Sequence, residues 1–356
     1  MNSSDVRIVH CKNWEEVLLY KEAWSDLQAK CEVPIFSTVQ FLTAYWSRFS
    51  NFNHPKFGRD KKVHVLFFFY KDDLVGVLPM MTVIRRRKKI IPLIYLELMG
   101  QHFFTSSLDI LCKEDFPLNW KSVEDYIQRN IRHHVINFQL INENSKLFCL
   151  LNGSAKELVK YSVSPTIVNH ESLTFEAYKK TVMSVNFQKI LNNSRNRFLK
   201  TNKPFHFAWE NYDEAAHFDL VDKISDSKKL DGKYNVYAIK EMREFVQEIY
   251  KMFQGRICTL YLDQVPIAYQ VYIYFANQCM WFDLSYDRAF RDLRPGIMIY
   301  EEGLREHMQF VNILGYGSDQ NKLGLCNEKV SVFSYSRTGN IRGSNLLLFL
   351  LNRILK

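Results

Sequence analysis

One pattern occurs twice along the 356 residues, and it limits what the chain can fold into more than any composition figure does. Residues 64–84, "HVLFFFYKDDLVGVLPMMTVI", read as strand, turn and strand, with Lys71, Asp72 and Asp73 at the turn. Residues 256–275, "RICTLYLDQVPIAYQVYIYF", repeat the plan with Asp263 and Gln264 at the turn, and Gly76 and Ala268 occupy matching small positions. Each hairpin is followed by strand, helix and strand. In the first half these are 107–112, 119–131 and 134–141; in the second they are 279–287, 295–308 and 310–317. Helices are also expected upstream, over 13–30 and 36–49 in the first half and over 184–200, 213–230 and 239–254 in the second. The pattern predicts a mixed α/β protein of two similar halves, residues 1–155 and 156–356.

Hydrophobic residues make up 47% and charged residues 24%, which excludes a disordered chain, and the 15% aromatic share favours sheet-rich packing. The net charge of +9 suits nucleic acid, an anionic membrane surface or a polyanionic small ligand, and singles out none of them. The densest basic run, residues 85–89, stands between two apolar runs and reads as the solvated tip of a hairpin. Seven scattered cysteines, odd in number and without Cys-x-x-Cys spacing, point to a reduced, cytoplasmic chain with no zinc site. His133 and His134 have no partners at metal spacing and read as a strand edge. The first residues lack the apolar core of a signal peptide, and no run reaches the eighteen or so apolar residues of a spanning helix. The terminal "SNLLLFLLNRILK" reads as a packed helix, or as an interfacial one given Arg353 and Lys356, so membrane contact would be peripheral.

The halves differ between strand and helix. The first has "CKEDFPLNWKS", acidic and without glycine, whereas the second has "RAFRDLRPGIM", basic and glycine-bearing. The first turn of a helix leaves N–H groups unpaired, and its dipole places positive charge there, so an anion is the natural guest. Proline fits that turn because its missing N–H is not needed, and glycine lets a ligand approach the backbone. The alternative is a plain turn whose arginines face water. If only one half binds a phosphate-bearing ligand, the sequence assigns it to the second.

The order hairpin, strand, anion loop, helix, strand resembles the acetyl-CoA-binding half of the GNAT acyltransferase superfamily. The whole chain is similar to its CelD-like branch, in which two GNAT-like halves are fused. The residues that carry the likeness are 24–46, "LVGVLPMM" at 74–81, "FQKILNNSRNRFLKTNKPFHFAW" at 187–209, "LRPGIMIYEEGL" at 293–304 and "YGSDQNKLGL" at 316–325. The resemblance implies an acyl-CoA whose pyrophosphate lies on the backbone N–H groups around Leu293, Arg294, Gly296 and Ile297, beside Arg291. It implies that Phe282 to Tyr286, Leu284 among them, pair through their backbone with the pantetheine arm. The thioester would lie between 282–286 and 313–317, with the amine entering from the opposite side. The loop departs from the common GNAT pattern, for Pro295 replaces a spaced glycine and only Gly296 remains. That leaves room for an acyl carrier protein as donor, or an aminoacyl-tRNA as in the related Fem-type peptidoglycan transferases.

Acyl transfer to an amine requires loss of the ammonium proton, stabilisation of the thioester oxygen and protonation of the leaving thiolate. The candidate bases are Asp283 and Asp319, and the candidate acids are Tyr286 and Tyr316. Lys322 matches a family position and would hold an anionic acceptor group, or pair with Glu301 or Glu302. Arg195, Arg197 and Lys200 would meet the coenzyme's 3′-phosphate, or line a solvated helix face. The expected activity is N-acyl transfer from an acyl-CoA, with no metal, to a small amine such as an amino sugar of an envelope polysaccharide. The competing functions are a Fem-type transferase and a non-catalytic binding or effector protein of the same fold.

Overall fold

A computed structural model describes residues 6–31, 34–55, 57–87, 91–101, 108–114, 118–154, 157–169, 171–213, 215–232, 235–310, 312–314, 324–341 and 344. The chain divides into two compact units, residues 1–162 with 331–356, and residues 163–330.

The first unit runs β1 (Val6–Cys11), α1 (Trp14–Leu18), α2 (Lys21–Ala29), α3 (Val39–Phe49), β2 (Arg59–Tyr70), β3 (Asp73–Arg87), β4 (Ile91–Leu98), β5 (Leu111–Cys112), α4 (Trp120–Asn130), β6 (Val135–Asn142) and α5 (Lys146–Leu151). Its strands lie in the order β1-β2-β3-β4-β6, with β5 beside β3. Val65, Leu66, Phe67 and Phe68 are buried at four consecutive positions, so β2 is covered on both faces. The expected hairpin over 64–84 is β2–β3. The basic run joins β3 to β4, with Arg87 opposite Ile91. It is not a wholly solvated tip. Arg86 is exposed, but Arg85 turns inward and donates from Nε and Nη2 to the two oxygens of buried Glu97, at 2.7 and 2.9 Å. An Arg–carboxylate fork of this kind satisfies both buried charges at once.

The strand expected over 107–112 is a correction. Among the described residues only Leu111–Cys112 are extended, and they pair with β3. Asp109 has partners outside the ladder. Its carboxylate accepts the N–H groups of Ile110, Lys146 and Leu147, and Ser37 binds its backbone on both sides. The strand between β3 and β6 is β4 instead, antiparallel to β3 and parallel to β6. The β4–β6 ladder covers only Tyr95–Val135 and Leu96–Ile136. Beyond it, the buried Gln101 side chain takes the place of the missing pairs. Its Oε1 accepts from Leu98 N and Gln139 N, each at 3.2 Å, and its Nε2 donates to Asn137 O at 3.0 Å.

The second unit begins within β7 (Leu158–Val168) and continues α6 (Phe175–Thr181), α7 (Val185–Leu199), β8 (Phe205–Asn211), α8 (Ala216–Asp226), α9 (Lys240–Met252), β9 (Arg256–Leu262), β10 (Val265–Phe275), β11 (Gln278–Tyr286), α10 (Pro295–His307) and β12 (Asn312–Leu314). The strand order is β7-β12-β11-β10-β9-β8. Asp263 and Gln264 both have positive φ, 52° and 64°, the conformation that a two-residue hairpin turn needs to match strand twist. Side chains on alternate positions of β10 reach opposite helices: Tyr272 lies under Gly303 of α10, and Tyr269 meets Ser225 of α8. The sheet is therefore sandwiched, with α7 and α10 on one face and α8 on the other.

The chain then returns to the first unit as β13 (Glu328–Thr338). Val332 to Thr338 pair antiparallel with Asn142 to Val135 of β6. The sequence pattern groups 156–356 together, because alternation identifies a strand but not the sheet edge it joins. Beyond Ser344 the apolar terminal segment lies outside the described residues. No helix among the described residues is long and apolar enough to cross a membrane.

Candidate active site

The entrance to α10 is built in three steps. After β11, Asp287 caps a 3₁₀ turn (Arg288–Leu293) by accepting from Ala289 N at 3.0 Å. Arg294 then adopts the left-handed conformation, φ 58° and ψ 52°, and Pro295 opens the helix at its first position. Two of the four expected backbone donors are engaged in this turn. Arg294 N–H donates to Arg291 O, and Ile297 N–H to Arg294 O, each at 3.0 Å. Gly296 N–H, in the first helical turn, has no carbonyl four residues back within its helix.

α7 braces the turn from beside it. Ser194, fully buried, donates to Leu293 O at 2.8 Å and to Arg294 O at 3.2 Å, and Arg197 donates to Asp292 O. Arg195 binds Glu301 at 3.0 Å, where Lys179 also reaches the buried carboxylate. Arg195, Arg197 and Lys200 are exposed, as a solvated helix face requires, and Arg195 and Arg197 also tie α7 to the neighbouring helix and loop. A helix mostly polar on its outer side gives no hint of which carboxylate it will meet.

Between α7, the end of β11 and the start of α10 lies a cavity of about 530 Å³. Leu284, Tyr286, Arg291, Arg294, Gly296 and Ile297 line it, six of the residues singled out from sequence. Among the described residues its wall has two arginines and no carboxylate. Arg291 lies 4.0 Å from Asp231 and Asp292, while the Arg294 guanidinium makes no ion pair among the described residues. The Arg288 guanidinium sits 4.0 Å over the Tyr286 ring and holds it at the cavity edge. Phe282, Asp283 and Leu293 are not part of the lining. Leu293 packs inward against the cluster around Phe198 and Leu260. Phe282 is the extra residue of a bulge, since Val271 pairs with Asp283 and Tyr272 with Trp281, and its ring meets Tyr250 on the far side.

Sequence reasoning missed Ser184, Asn186, Phe187, Ile190, Tyr300 and Gly324, the rest of the lining. Ser184 was legible as the cap of α7, accepting from Phe187 N at 3.2 Å. Its own N–H donates to Gly324 O at 2.9 Å, and a Cβ on Gly324 would lie 2.7 Å from Ser184 Oγ. That close approach joins segments 140 residues apart in sequence, and no local pattern announces it. Tyr316, Asp319 and Lys322 lie outside the described residues.

Asp283 lies on the opposite face of the sheet. Its Oδ2 accepts from the hydroxyls of Tyr237, Tyr269 (2.8 Å) and Tyr250 (3.4 Å), and Tyr269 meets Ser225 at 2.7 Å. Burial, and then the Asp283 charge, push all three phenols well above their ordinary range, so they remain donors. On the cavity's side of the sheet, the parallel ladder of β11 with β12 covers Gln278–Met280 with Asn312–Leu314 among the described residues. Among those residues no group of three His, Cys, Asp or Glu stands at metal-binding geometry.

Residues 186–310 match the family model described as an acetyltransferase (GNAT) domain. Solved structures with the same fold include FemX, at 8% identity and a TM-score of 0.57 over 96% of this chain and 99% of that one. A conserved protein of unknown function from Bacteroides thetaiotaomicron VPI-5482 matches at 8% identity and a TM-score of 0.55, over 90% of this chain and 97% of its own. A tandem GNAT protein from the clavulanic acid biosynthesis pathway matches at 9% identity and a TM-score of 0.50, over 94% and 98%. No curated protein matches the chain. The hairpin–strand–helix–strand order, the bulged β11 and the matched domain agree: residues 186–310 carry a GNAT domain, and the chain has the fold of tandem GNAT proteins.

Proposed function

We propose that the second unit binds an acyl-coenzyme A in the cavity beside α10 and that the chain transfers the acyl group to a small amine, such as an amino sugar of an envelope polysaccharide. The observation that carries this reading is the cavity wall itself. Among the described residues it offers two arginines, no carboxylate and the start of a helix, in a volume of about 530 Å³ that suits an organic phosphate. Because Arg294 N–H and Ile297 N–H are engaged in the turn, the pyrophosphate would rest on Gly296 N–H and the Arg294 and Arg291 guanidinium groups. The pantetheine arm would pair with the backbone of Phe282 to Tyr286, past the end of the described β11–β12 ladder. Tyr286, which lines the cavity, would give its proton to the departing thiolate. The amine would approach from the far face, where Asp283 stands; Asp319 would serve as a base and Tyr316 as an acid. The first unit is read as holding no donor, since Gln101 fills the gap between its own parallel strands.

Calorimetric titration with acetyl-CoA tests this. Binding to the natural protein should weaken about tenfold in Arg294→Ala, the loss of one charge-assisted contact. In Gly296→Trp it should disappear while the fold remains. Unchanged binding in both variants would remove the cavity as the donor site. Absence of binding to the natural protein would favour a donor carried on a protein or a tRNA.

A further inference from the structure

We infer that a cavity in the first unit, between residues 53–58 and the adjoining ends of β2 and β3, is a binding site for a phosphate monoester. The inference is independent of the acyl-transfer reading, which leaves this unit without a ligand. The cavity has a volume of about 460 Å³, more than a phosphate alone requires and within the range of small-ligand sites. Arg59, Arg85 and Arg86 line it, and among the described residues no carboxylate does. Pro55 and Ile84 supply an apolar side for the carbon body of the ester. In the β2–β3 ladder Arg59 stands opposite Ile84, and Arg86 is the next residue of β3 on that same face. The two arginines are therefore diagonal cross-strand neighbours, a spacing that long side chains span. Both are exposed; Arg86 has no ion pair among the described residues, and Arg59 meets only its neighbour Asp60, at 3.8 Å in solvent. An exposed pair of that kind is worth little, so two like charges adjoin almost uncompensated, and a shared anion would stabilise them. Arg85, on the opposite face, shows the contrast, for its fork is filled by the two oxygens of Glu97. One carboxylate matches one guanidinium; a phosphate monoester, with three free oxygens and about two negative charges, can serve two.

The facing wall is fixed in advance. Gly58 N–H donates to His54 O at 2.7 Å, and the two residues form an isolated antiparallel bridge. Gly58 has φ 71°, and a Cβ there would lie 2.2 Å from Val83 Cγ2, so the loop presses directly on β3. Phe57 is buried and stacks on Phe49 with ring centroids 5.0 Å apart. The Lys61 ammonium ties the loop's carbonyls together, donating to Phe52 O at 2.5 Å and Gly58 O at 3.4 Å. Burial, and then the Arg85 charge, lower Lys61 to about 8, so positive groups crowd one another here and an anion would relieve them. A wall held in this way has little ordering left to lose when a ligand binds.

The test uses the full chain with two monoester probes. Calorimetric titration with glycerol 3-phosphate reads a soluble source, and co-flotation with phosphatidylcholine vesicles carrying phosphatidic acid reads a lipid one. At least one of the two should bind, about tenfold more weakly in Arg86→Ala and more weakly still when Arg59→Ala is added. Both side chains are exposed, so the variants should keep the urea midpoint of the natural protein, which separates lost binding from lost folding. Glycerol 3-phosphate binding should also persist in Gly296→Trp, where the cavity beside α10 is filled. Binding of neither monoester would overturn the inference. So would binding that the double variant retains, or that Gly296→Trp loses, because the ligand would then lie beside α10. Equal binding to vesicles carrying phosphatidylglycerol, a diester, would reduce the effect to general charge attraction and overturn it too.

Discussion

Arg294 combines three properties that rarely meet in one residue. It is left-handed without being glycine, its guanidinium has no ion pair among the described residues, and it caps a helix whose first residue is proline. A non-glycine residue in that conformation persists only where its surroundings fix it, and here Ser194 and the Arg291 carbonyl do so. The arginine–proline–glycine stretch was legible in sequence because chemistry and position coincide there; the vacancy of Arg294 was not, because charge pairing depends on distant elements. Asp283 shows the reverse. Its place on β11 was plain, but the three tyrosines around it come from a 3₁₀ turn, α9 and β10. His307 offers a prediction at this scale. Its Nδ1–H donates to Gly303 O and its Nε2 accepts from Tyr274, both at 2.7 Å, and burial lowers it from 6.5 to about 4. Between those values the unfolded chain binds a proton that the native one does not, so stability falls as pH drops through the window. The loss from this residue is on the order of 3 kcal/mol. His307→Gln should remove one proton's share of that slope in urea unfolding, leaving the acid loss from His10 and His64, which burial also lowers. An unaltered slope would contradict the assignment.

Among the elements, α10 carries the site and is held tightly to the sheet. A Cβ on Gly303 would lie 2.1 Å from the Tyr272 hydroxyl and 2.9 Å from its ring, so helix and strand touch at that glycine. Gly303→Ala should lower unfolding stability by about 1–3 kcal/mol, because the fully buried tyrosine has no room to withdraw. A neutral outcome in denaturant titration would mean that the helix rides further from the sheet. Gln101 plays the matching part in the first unit. Gln101→Ala strips partners from Leu98 N–H, Gln139 N–H and Asn137 C=O, and should cost about 2–4 kcal/mol in the same measurement. Acetyl-CoA affinity should stay unchanged, since the cavity proposed for it belongs to the second unit. The hairpins and long helices were readable from period and turn residues. The first half's third strand was misplaced because its apolar run, 91–98, follows the basic turn directly and reads as the close of a hairpin.

Over the whole molecule, the repeated plan was visible because each half must bury a sheet with the same alternation, and both units keep it. The exchange of β13 was not visible, since a strand's sequence specifies its faces and leaves its partner open. The same limit hid the half of the cavity supplied by α7 and Gly324. The second unit alone is proposed to take an acyl-coenzyme A beside α10. Thermal unfolding of the natural protein and of Gly296→Trp, each with acetyl-CoA, longer acyl-CoAs and free CoA, tests it most directly. At about one hundred times the dissociation constant, ligand should add roughly 2.7 kcal/mol and raise the midpoint of the natural protein by several degrees, with no rise in the variant. An equal rise in both, or none in the natural protein with any of these ligands, would contradict it.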